Sequence, residues 1–311
     1  MVRSATKVTA DLIARADRLK VVGRAGTGVD NVDVPAATRR GIVVCNAAGS
    51  NALSAAEHAV ALLVAQARNI PQAHASLVQG KWERSKFGGI EVTGKTLGVL
   101  GFGRIGQMVA ERAKGLGMNV IAYDPLVAEG RYRELGVDKA DTPADLYAVS
   151  DFITLHLAST PETRGFVNAE AFAAMKQGAR LINAARGDVV DQDALVAALT
   201  SGHLGGAGID VFPTEPVTES PLFGLPGVVV TPHLGASTEE AQDRAGVVVA
   251  EQVVAALTGG VVTSAVNIPS VGPEALAVLG PFLPLANQLG QLITALTGGP
   301  SPMEITYEGQ L

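Results

Sequence analysis

Cysteine is nearly absent: Cys45 stands alone in 311 residues. That excludes an internal disulfide and a cysteine-ligated metal cluster; no metal is expected, and a reducing, cytoplasmic compartment is. No His or Lys beside Cys45 marks it as a nucleophile, so a buried small apolar role is expected. Aromatics are scarce, at 4% against 47% hydrophobic residues. The core must then be packed from small aliphatic side chains, as in parallel sheets covered by helices. Net charge is −6 and no basic cluster occurs, which argues against nucleic acid as a partner. No long apolar run occurs either. Arg3, Lys7 and Asp11 interrupt any N-terminal signal core. The stretch from Gly246 to Val266 carries Glu251, Gln252 and a Gly-Gly pair, so it reads as an amphipathic helix and a turn, not a membrane span. Internal repeats and low-complexity tracts are also missing.

What is present is concentrated in Thr96 to Pro125, TLGVLGFGRIGQMVAERAKGLGMNVIAYDP. An apolar strand, Thr96 to Leu100, leads into Gly101, Gly103 and Gly106 in G-x-G-x-x-G spacing. A helix-period stretch follows from Arg104 to Lys114, then a second strand, Asn119 to Tyr123, ending on Asp124. The first glycine permits the tight turn, the second lets a pyrophosphate approach the backbone, and the third lets helix and strand pack closely. The helix N-terminus offers free N–H groups to phosphate. Asp124, 18 residues past the last glycine (124 − 106), can accept from a ribose diol and would repel a 2′-phosphate, so NAD is expected over NADP. The plainer alternative is a glycine-rich turn in another doubly wound protein; strand, helix, strand and acid in register weigh against it.

The rest of the chain alternates in the same way. Residues 19–24 (LKVVGR) and 41–45 (GIVVC) read as buried strands around a helix from Val34 to Arg40. Ser54 and Glu57 read as a capping box opening a helix to about Ala65. Further strands are expected at Phe152–Leu155, Arg180–Asn183, Ala207–Val211 and Val228–Thr231, and a helix at Glu239–Leu257. Such alternation specifies an α/β fold with a Rossmann-type, doubly wound parallel sheet. Both ends read as cut. VRSATKVT opens on what looks like the end of a strand, and MEITYEGQL is an isolated strand after Gly298-Gly299-Pro300.

Three motifs follow the second half of the nucleotide fold: INAARGD around Arg186, GIDVFPTEP around Glu215 and TPHLGAST around His233. Arg186 and His233 directly follow expected strands, and Glu215 lies just beyond Val211. Ligands of open α/β sheets bind past the carboxyl ends of the strands, where all three can converge. An Arg can hold a carboxylate bidentately and polarise the neighbouring carbonyl. A His can carry the hydroxyl proton while hydride moves. A Glu beside it favours the imidazolium and fixes the ring. Of the other histidines, His58, His74 and His203 read as surface or packing residues, and His156 ends a strand near the same region.

With these motifs, together with VVGRAGTGVDNVD (21–33) and GKWERSKF (80–87), the sequence resembles the D-isomer-specific 2-hydroxyacid dehydrogenases over nearly its whole length. The resemblance implies a second, flavodoxin-like substrate domain, here incomplete because the family's opening strand–helix–strand is absent. It divides the chain into residues 1–47 (partial substrate domain), 48–236 (NAD-binding domain), 237–268 (return helix and strand) and 269–311 (start of an incomplete C-terminal domain). It makes Arg186, Glu215 and His233 catalytic. Cofactor contacts carry to Thr27, Arg104, Ile105, Asp124, Ala184, Ala185, Arg186, Asp210, His233, Leu234, Gly235 and Ala236. Substrate contacts carry to Arg3, Arg24, Asn51 and Arg186. The implied reaction is NAD-dependent oxidation of 3-phospho-D-glycerate; the alternatives are reduction of glyoxylate or hydroxypyruvate, or a catalytically weak NAD-binding interaction protein. A homodimer through the nucleotide domains, possibly a tetramer, is implied as well. Trp82 reads equally as core or as interface anchor. Two departures from the family stand at Asp188, where a glycine is usual and αL geometry is therefore expected, and at Leu157-Ala158, where Leu157 can touch a cofactor only by backbone or packing.

Overall fold

The computed structural model describes residues 1–268 and 280–297. Its chain divides into two compact units, one of residues 1–50 with 242 onward, the other of residues 51–241. In the first unit the elements are α1 (Ala10–Arg15), β1 (Val21–Arg24), α2 (Val34–Arg39) and β2 (Val43–Asn46). The strands pair in parallel with Val21 opposite Val43 and Arg24 opposite Asn46. Gly41, at φ 66, turns the chain out of α2, so β2 starts two residues later than the apolar run suggested. Asp33 caps α2 through Oδ1, which accepts from the Ala36 N–H at 2.9 Å, and Pro35 occupies the first turn.

Alternate strand residues face opposite sides of a sheet, and here both sides are covered. Val22 and Val44 pack with Val8, Ile13, Val32, Ala36, Ala37 and Ile42 on one side. Cys45 packs on the other with Ala47, Ala245 and Val249. Cys45 is fully buried and burial raises its thiol above the ordinary value, the inert state expected of it. Asn267 ties the edge: its Oδ1 accepts from Val44 N at 2.8 Å and its Nδ2 donates to Ile42 O at 2.9 Å.

The second unit begins with α3 (Ala52–Ala67) and α4 (Ile70–Val78) and continues β3 (Thr96–Leu100), α5 (Arg104–Gly115), β4 (Asn119–Tyr123), α6 (Glu129–Leu135), β5 (Asp138–Lys139), α7 (Pro143–Val149), β6 (Phe152–Leu155), α8 (Ala169–Ala174), β7 (Arg180–Asn183), α9 (Gln192–Thr200), β8 (Gly206–Ile209) and β9 (Val228–Val230). The helix α10 (Glu239–Thr258) follows. Seven parallel strands lie in the order β5-β4-β3-β6-β7-β8-β9. The chain winds outward from β3 in one direction, then returns to β6 and winds the other way. The switch point between β3 and β6 is where such sheets leave a crevice for ligands. Leu97, Val99, Phe152 and Ile182 face a layer containing α3 and α5. Leu100, Ile153, Leu155 and Leu181 face a layer containing α7, α8 and α9.

Two local expectations are corrected. Ser54 and Glu57 are no capping box, because α3 starts at Ala52 and both already lie inside it. Ser54 Oγ bonds Thr238 Oγ1 at 2.8 Å, and Glu57 faces Arg112 at 3.6 Å. The capping box that does form opens α7: Thr142 Oγ1 accepts from Asp145 N, and Asp145 Oδ2 accepts from Thr142 N at 3.0 Å. The strand expected within MEITYEGQL lies outside the described residues. Within the expected C-terminal segment, 280–297 forms a short 3-10 turn and a helix, Leu283–Thr297.

The glycine loop separates two kinds of constraint. A Cβ on Gly106 would sit 2.2 Å from the Gly101 carbonyl oxygen, whereas one on Gly103 would meet nothing within 4 Å. Gly106→Ala is therefore expected to cost about 1–3 kcal/mol through forced backbone displacement, and Gly103→Ala at most about 0.5 kcal/mol. Urea-unfolding midpoints of the two variants check this; equal losses would refute it.

Candidate active site

In the second unit every strand from β3 to β9 that borders the crevice ends in a loop held by specific hydrogen bonds. After β3, Gly101 adopts φ 93, and its Cα leaves no room for a side chain beside His156 C, 2.8 Å from the would-be Cβ. Phe102 follows, fully buried and stacked on Tyr132 at 4.7 Å. Asp124, at the end of β4, accepts from Phe102 N and from Leu126 N, each at 2.9 Å, one on each carboxylate oxygen. Each oxygen keeps a lone pair for a further donor, as a ribose diol requires. The open face of Gly103 and the start of α5 at Arg104 leave backbone N–H groups accessible there, with Arg104 exposed and Ile105 half-buried. These residues fit a dinucleotide.

The β6 end supplies His156 and Leu157. His156 Nε2 bonds Thr154 Oγ1 at 3.0 Å. Its surroundings push the imidazole down to about 4, so it is neutral at pH 7 although part of the residue stays accessible. Leu157 Cδ2 lies over the Gly101 turn, a packing contact in keeping with its lack of a hydroxyl.

After β7 the buried Asn183 staples the next turn: Nδ2 donates to Arg186 O at 2.9 Å and Oδ1 accepts from Ala185 N at 3.0 Å. Ala184, Ala185 and Arg186 are half-buried. Arg186 Nη1 donates to Ala185 O at 2.7 Å. Gly187 then wedges against the β8 loop; a Cβ there would fall 2.0 Å from Phe212 C. Asp188 does not take αL geometry. It lies in the right-handed 3-10 turn Gly187–Val189, and its Oδ2 accepts from Ser159 Oγ at 2.6 Å and faces Arg164 Nε at 3.3 Å. Side-chain partners, not a left-handed backbone, account for an acid at that position.

Asp210, just past β8, is fully buried and carries the densest polar network of the unit. Its Oδ1 accepts from Leu234 N at 2.7 Å and Thr231 Oγ1 at 2.5 Å, and its Oδ2 from Gly235 N at 2.9 Å. Burial alone would raise this carboxyl; hydrogen bonds from His58, Thr231, Leu234 and Gly235 outweigh it and hold the group below its ordinary value. The carboxylate shapes the loop bearing His233, whose own N–H donates to Asp210 O at 2.8 Å and whose φ is 55. That left-handed residue, not Asp188, is the strained one in the site.

Glu215 and His233 meet directly. Glu215 Oε1 accepts from Phe212 N at 3.0 Å, and Oε2 lies 2.6 Å from His233 Nδ1. A carboxylate only accepts, so Nδ1 carries the proton and Nε2 remains for exchange with another molecule. His233 and Leu234 are exposed, Gly235 is buried and Ala236 is intermediate.

Residues expected to meet substrate divide between the units. Asn51 immediately precedes α3 in the second. Arg3 and Arg24 lie in the first, on segments joined by the Val2–Arg24 bridge. Arg24 Nη2 donates to Ser4 Oγ at 3.0 Å, and the guanidinium covers Gly26, whose would-be Cβ would clash with Nη1. Arg3 Nη1 donates to Gln242 Oε1 at 3.2 Å. Thr27 lies on the following turn, where Asn46 Nδ2 donates to Thr27 O at 2.6 Å. Sequence reading missed His58, which joins the Asp210 network from α3 with Nε2 3.1 Å from Asp210 Oδ1. The available signal was a stripe of polar residues on one helix face, Ser54, His58 and Gln66, of which Ser54 and Gln66 are buried.

Residues 60–235 match the family described as D-isomer specific 2-hydroxyacid dehydrogenase, NAD binding domain. The chain belongs to that family. All of it aligns with D-3-phosphoglycerate dehydrogenase of Mycobacterium tuberculosis at 52% identity and with that of Methanocaldococcus jannaschii at 48%. It spans 58% and 60% of their lengths. Among solved structures, a glyoxylate reductase from Paecilomyes thermophila superposes with a TM-score of 0.77 at 32% identity, over 86% of this chain and 80% of that one. D-mandelate dehydrogenase from Rhodotorula graminis gives 0.79 at 29% identity, over 85% and 80%. The cofactor of this domain is NAD.

The placement of Asp124 generates a test. Its acid would face any 2′-phosphate, so NAD is expected to bind at least about tenfold more tightly than NADP, and Asp124→Ala to narrow that ratio. Fluorescence titration with NADH and NADPH measures both constants; equal binding by the unaltered protein would remove Asp124 from the ribose.

Proposed function

We propose that this chain catalyses NAD-dependent oxidation of 3-phospho-D-glycerate to 3-phosphohydroxypyruvate, the first step of a phosphorylated route to L-serine. The observation that carries the reading is the 2.6 Å contact between His233 Nδ1 and Glu215 Oε2. It presents an oriented imidazole beyond the strand ends of a nucleotide-binding sheet. Bound NAD supplies the hydride acceptor. His233 Nε2 takes the proton from the C2 hydroxyl as the hydride leaves C2. Glu215 steadies the imidazolium formed in that step. Arg186 holds the substrate carboxylate and polarises the incipient carbonyl. Arg3, Arg24 and Asn51 are assigned to the anionic groups of the substrate. Thr27, Ala184, Ala185, Leu234, Gly235 and Ala236 are assigned to the cofactor, with the glycine loop, Arg104, Ile105 and Asp124. The choice of phosphoglycerate over another 2-hydroxy acid rests on the curated relatives named above; the likeness to a glyoxylate reductase supports glyoxylate or hydroxypyruvate as the second candidates.

Assembly and location belong to the same proposal. Trp82 is 82% exposed, which removes the core reading, and Ile70, Leu77 and Val78 of the preceding helix α4 are also exposed. Exposed apolar side chains of this kind support a homodimer through the NAD-binding unit, with a tetramer as a higher form. The scarcity of cysteine, with Cys45 alone and buried, supports a cytoplasmic setting. No helix among the described residues is long and apolar enough to cross a membrane.

His233→Ala is expected to lower kcat by about a hundredfold or more, the usual worth of a positioned acid–base group. Glu215→Gln should fall less, since a neutral amide can still orient the ring. Steady-state NADH production with phosphoglycerate, D-glycerate and D-lactate reads both substitutions and substrate preference; undiminished turnover in His233→Ala would overturn the assignment. Trp82→Ala is expected to shift the dimer toward monomer in sedimentation experiments while NAD binding persists.

A further inference from the structure

One polar group reaches the His233 loop from a distant helix. His58 sits on α3, far from the loop in sequence, yet its Nε2 lies 3.1 Å from Asp210 Oδ1 and 3.1 Å from Thr231 Oγ1. Asp210 is wholly buried and its carboxylate can only accept. The Nε2 of His58 therefore carries a proton and points it at this pair. Thr231 Oγ1 in turn donates to Asp210 Oδ1, so its lone pairs are free to accept from the same imidazole N–H.

What a histidine adds is a donor. A buried carboxylate stays ionised only while enough donors compensate its lost hydration. Asp210 has three besides His58: the Thr231 hydroxyl and the N–H groups of Leu234 and Gly235. Two of these belong to the turn that follows His233, and the His233 N–H is bound by the Asp210 backbone carbonyl. The left-handed conformation of His233 is held at both ends by one residue. His58 is the only side chain from outside the β8 and β9 loops that the described hydrogen bonds bring to that carboxylate.

We propose that His58 is a positioning residue for the dehydrogenase reaction: its Nε2–H anchors the Asp210 carboxylate and Thr231, and through them orders the loop that presents His233. The proposal rests on the assignment of His233 as the proton-transfer group. His58 itself touches neither Glu215 nor the His233 ring in the described hydrogen bonds, so it acts through backbone geometry and not through the proton.

The test compares His58→Ala with His58→Gln, whose amide nitrogen lies at about the reach of Nε2 and can still donate. Amide hydrogen exchange of residues 231–236 is the first readout and requires no turnover. His58→Ala is expected to exchange the Leu234 and Gly235 amides at least about tenfold faster, with β7 and β8 still protected; His58→Gln is expected to restore protection. The second readout is kinetic: kcat about tenfold lower in His58→Ala with substrate KM within about twofold, because the loop acts on the transition state more than on binding, and kcat recovered in His58→Gln. Unchanged protection at 234 and 235 in His58→Ala overturns the proposal, as does a His58→Gln protein no better protected than His58→Ala. A protein that turns over no phosphoglycerate would count against the proposed function alone, and the exchange experiment would still decide the role of His58.

Discussion

A single buried charge organises the candidate site of the second unit. Asp210 has no access to water, and an uncompensated carboxylate there would cost several kcal/mol. Compensation comes from the turn after β9, whose N–H groups at Leu234 and Gly235 converge on it, and from Thr231 and His58. The loop is thus bent around the charge, and His233 takes φ 55 as a consequence. Because the carboxyl is held below its ordinary value, its contribution is present above the unfolded-state value and lost as pH falls through the folded one. The same residue that binds the loop also makes it acid-labile.

Around that charge, close packing sets the distances. Gly187 lets the turn carrying Arg186 press against Phe212 and Pro213, which lead to Glu215. Glu215 is in turn held by Phe212 N before it reaches His233. The Arg and the Glu therefore come from interlocked loops, and neither can shift without disturbing the other. On the cofactor side, Gly106 and Gly101 bring α5 against the end of β3, and Asp124 spends one lone pair on each of two backbone N–H groups before any ligand arrives. Rigid scaffolding of this kind holds the proposed catalytic groups in place before any substrate binds, the condition for electrostatic preorganisation.

The first unit shows the opposite balance. Among the described residues its sheet has two strands, with isolated bridges at Val2, Val8 and Cys45, and burial on both faces depends on small residues such as Gly23, whose would-be Cβ falls 2.5 Å from Val253. Arg24 ends β1 and donates to Ser4 Oγ, and Arg3 donates to Gln242 Oε1.

Periodicity and motif spacing alone determined the parallel doubly wound sheet, the strand limits at Thr96–Leu100 and Asn119–Tyr123, the glycine loop and Asp124, since these depend on interactions within about thirty residues. They also singled out Arg186, Glu215 and His233, because each sits in a motif at a strand end. Tertiary structure alone decided what lies across long separations. Ser54 became a partner of Thr238 instead of a cap, Asp188 found Ser159 and Arg164 instead of a left-handed turn, and His58 reached Asp210 across more than a hundred residues of chain. A helix start, a turn conformation and the partner of a buried charge are each won by the lowest-energy contact available in three dimensions. Local sequence shows that a polar group is present; only the packed fold shows what satisfies it.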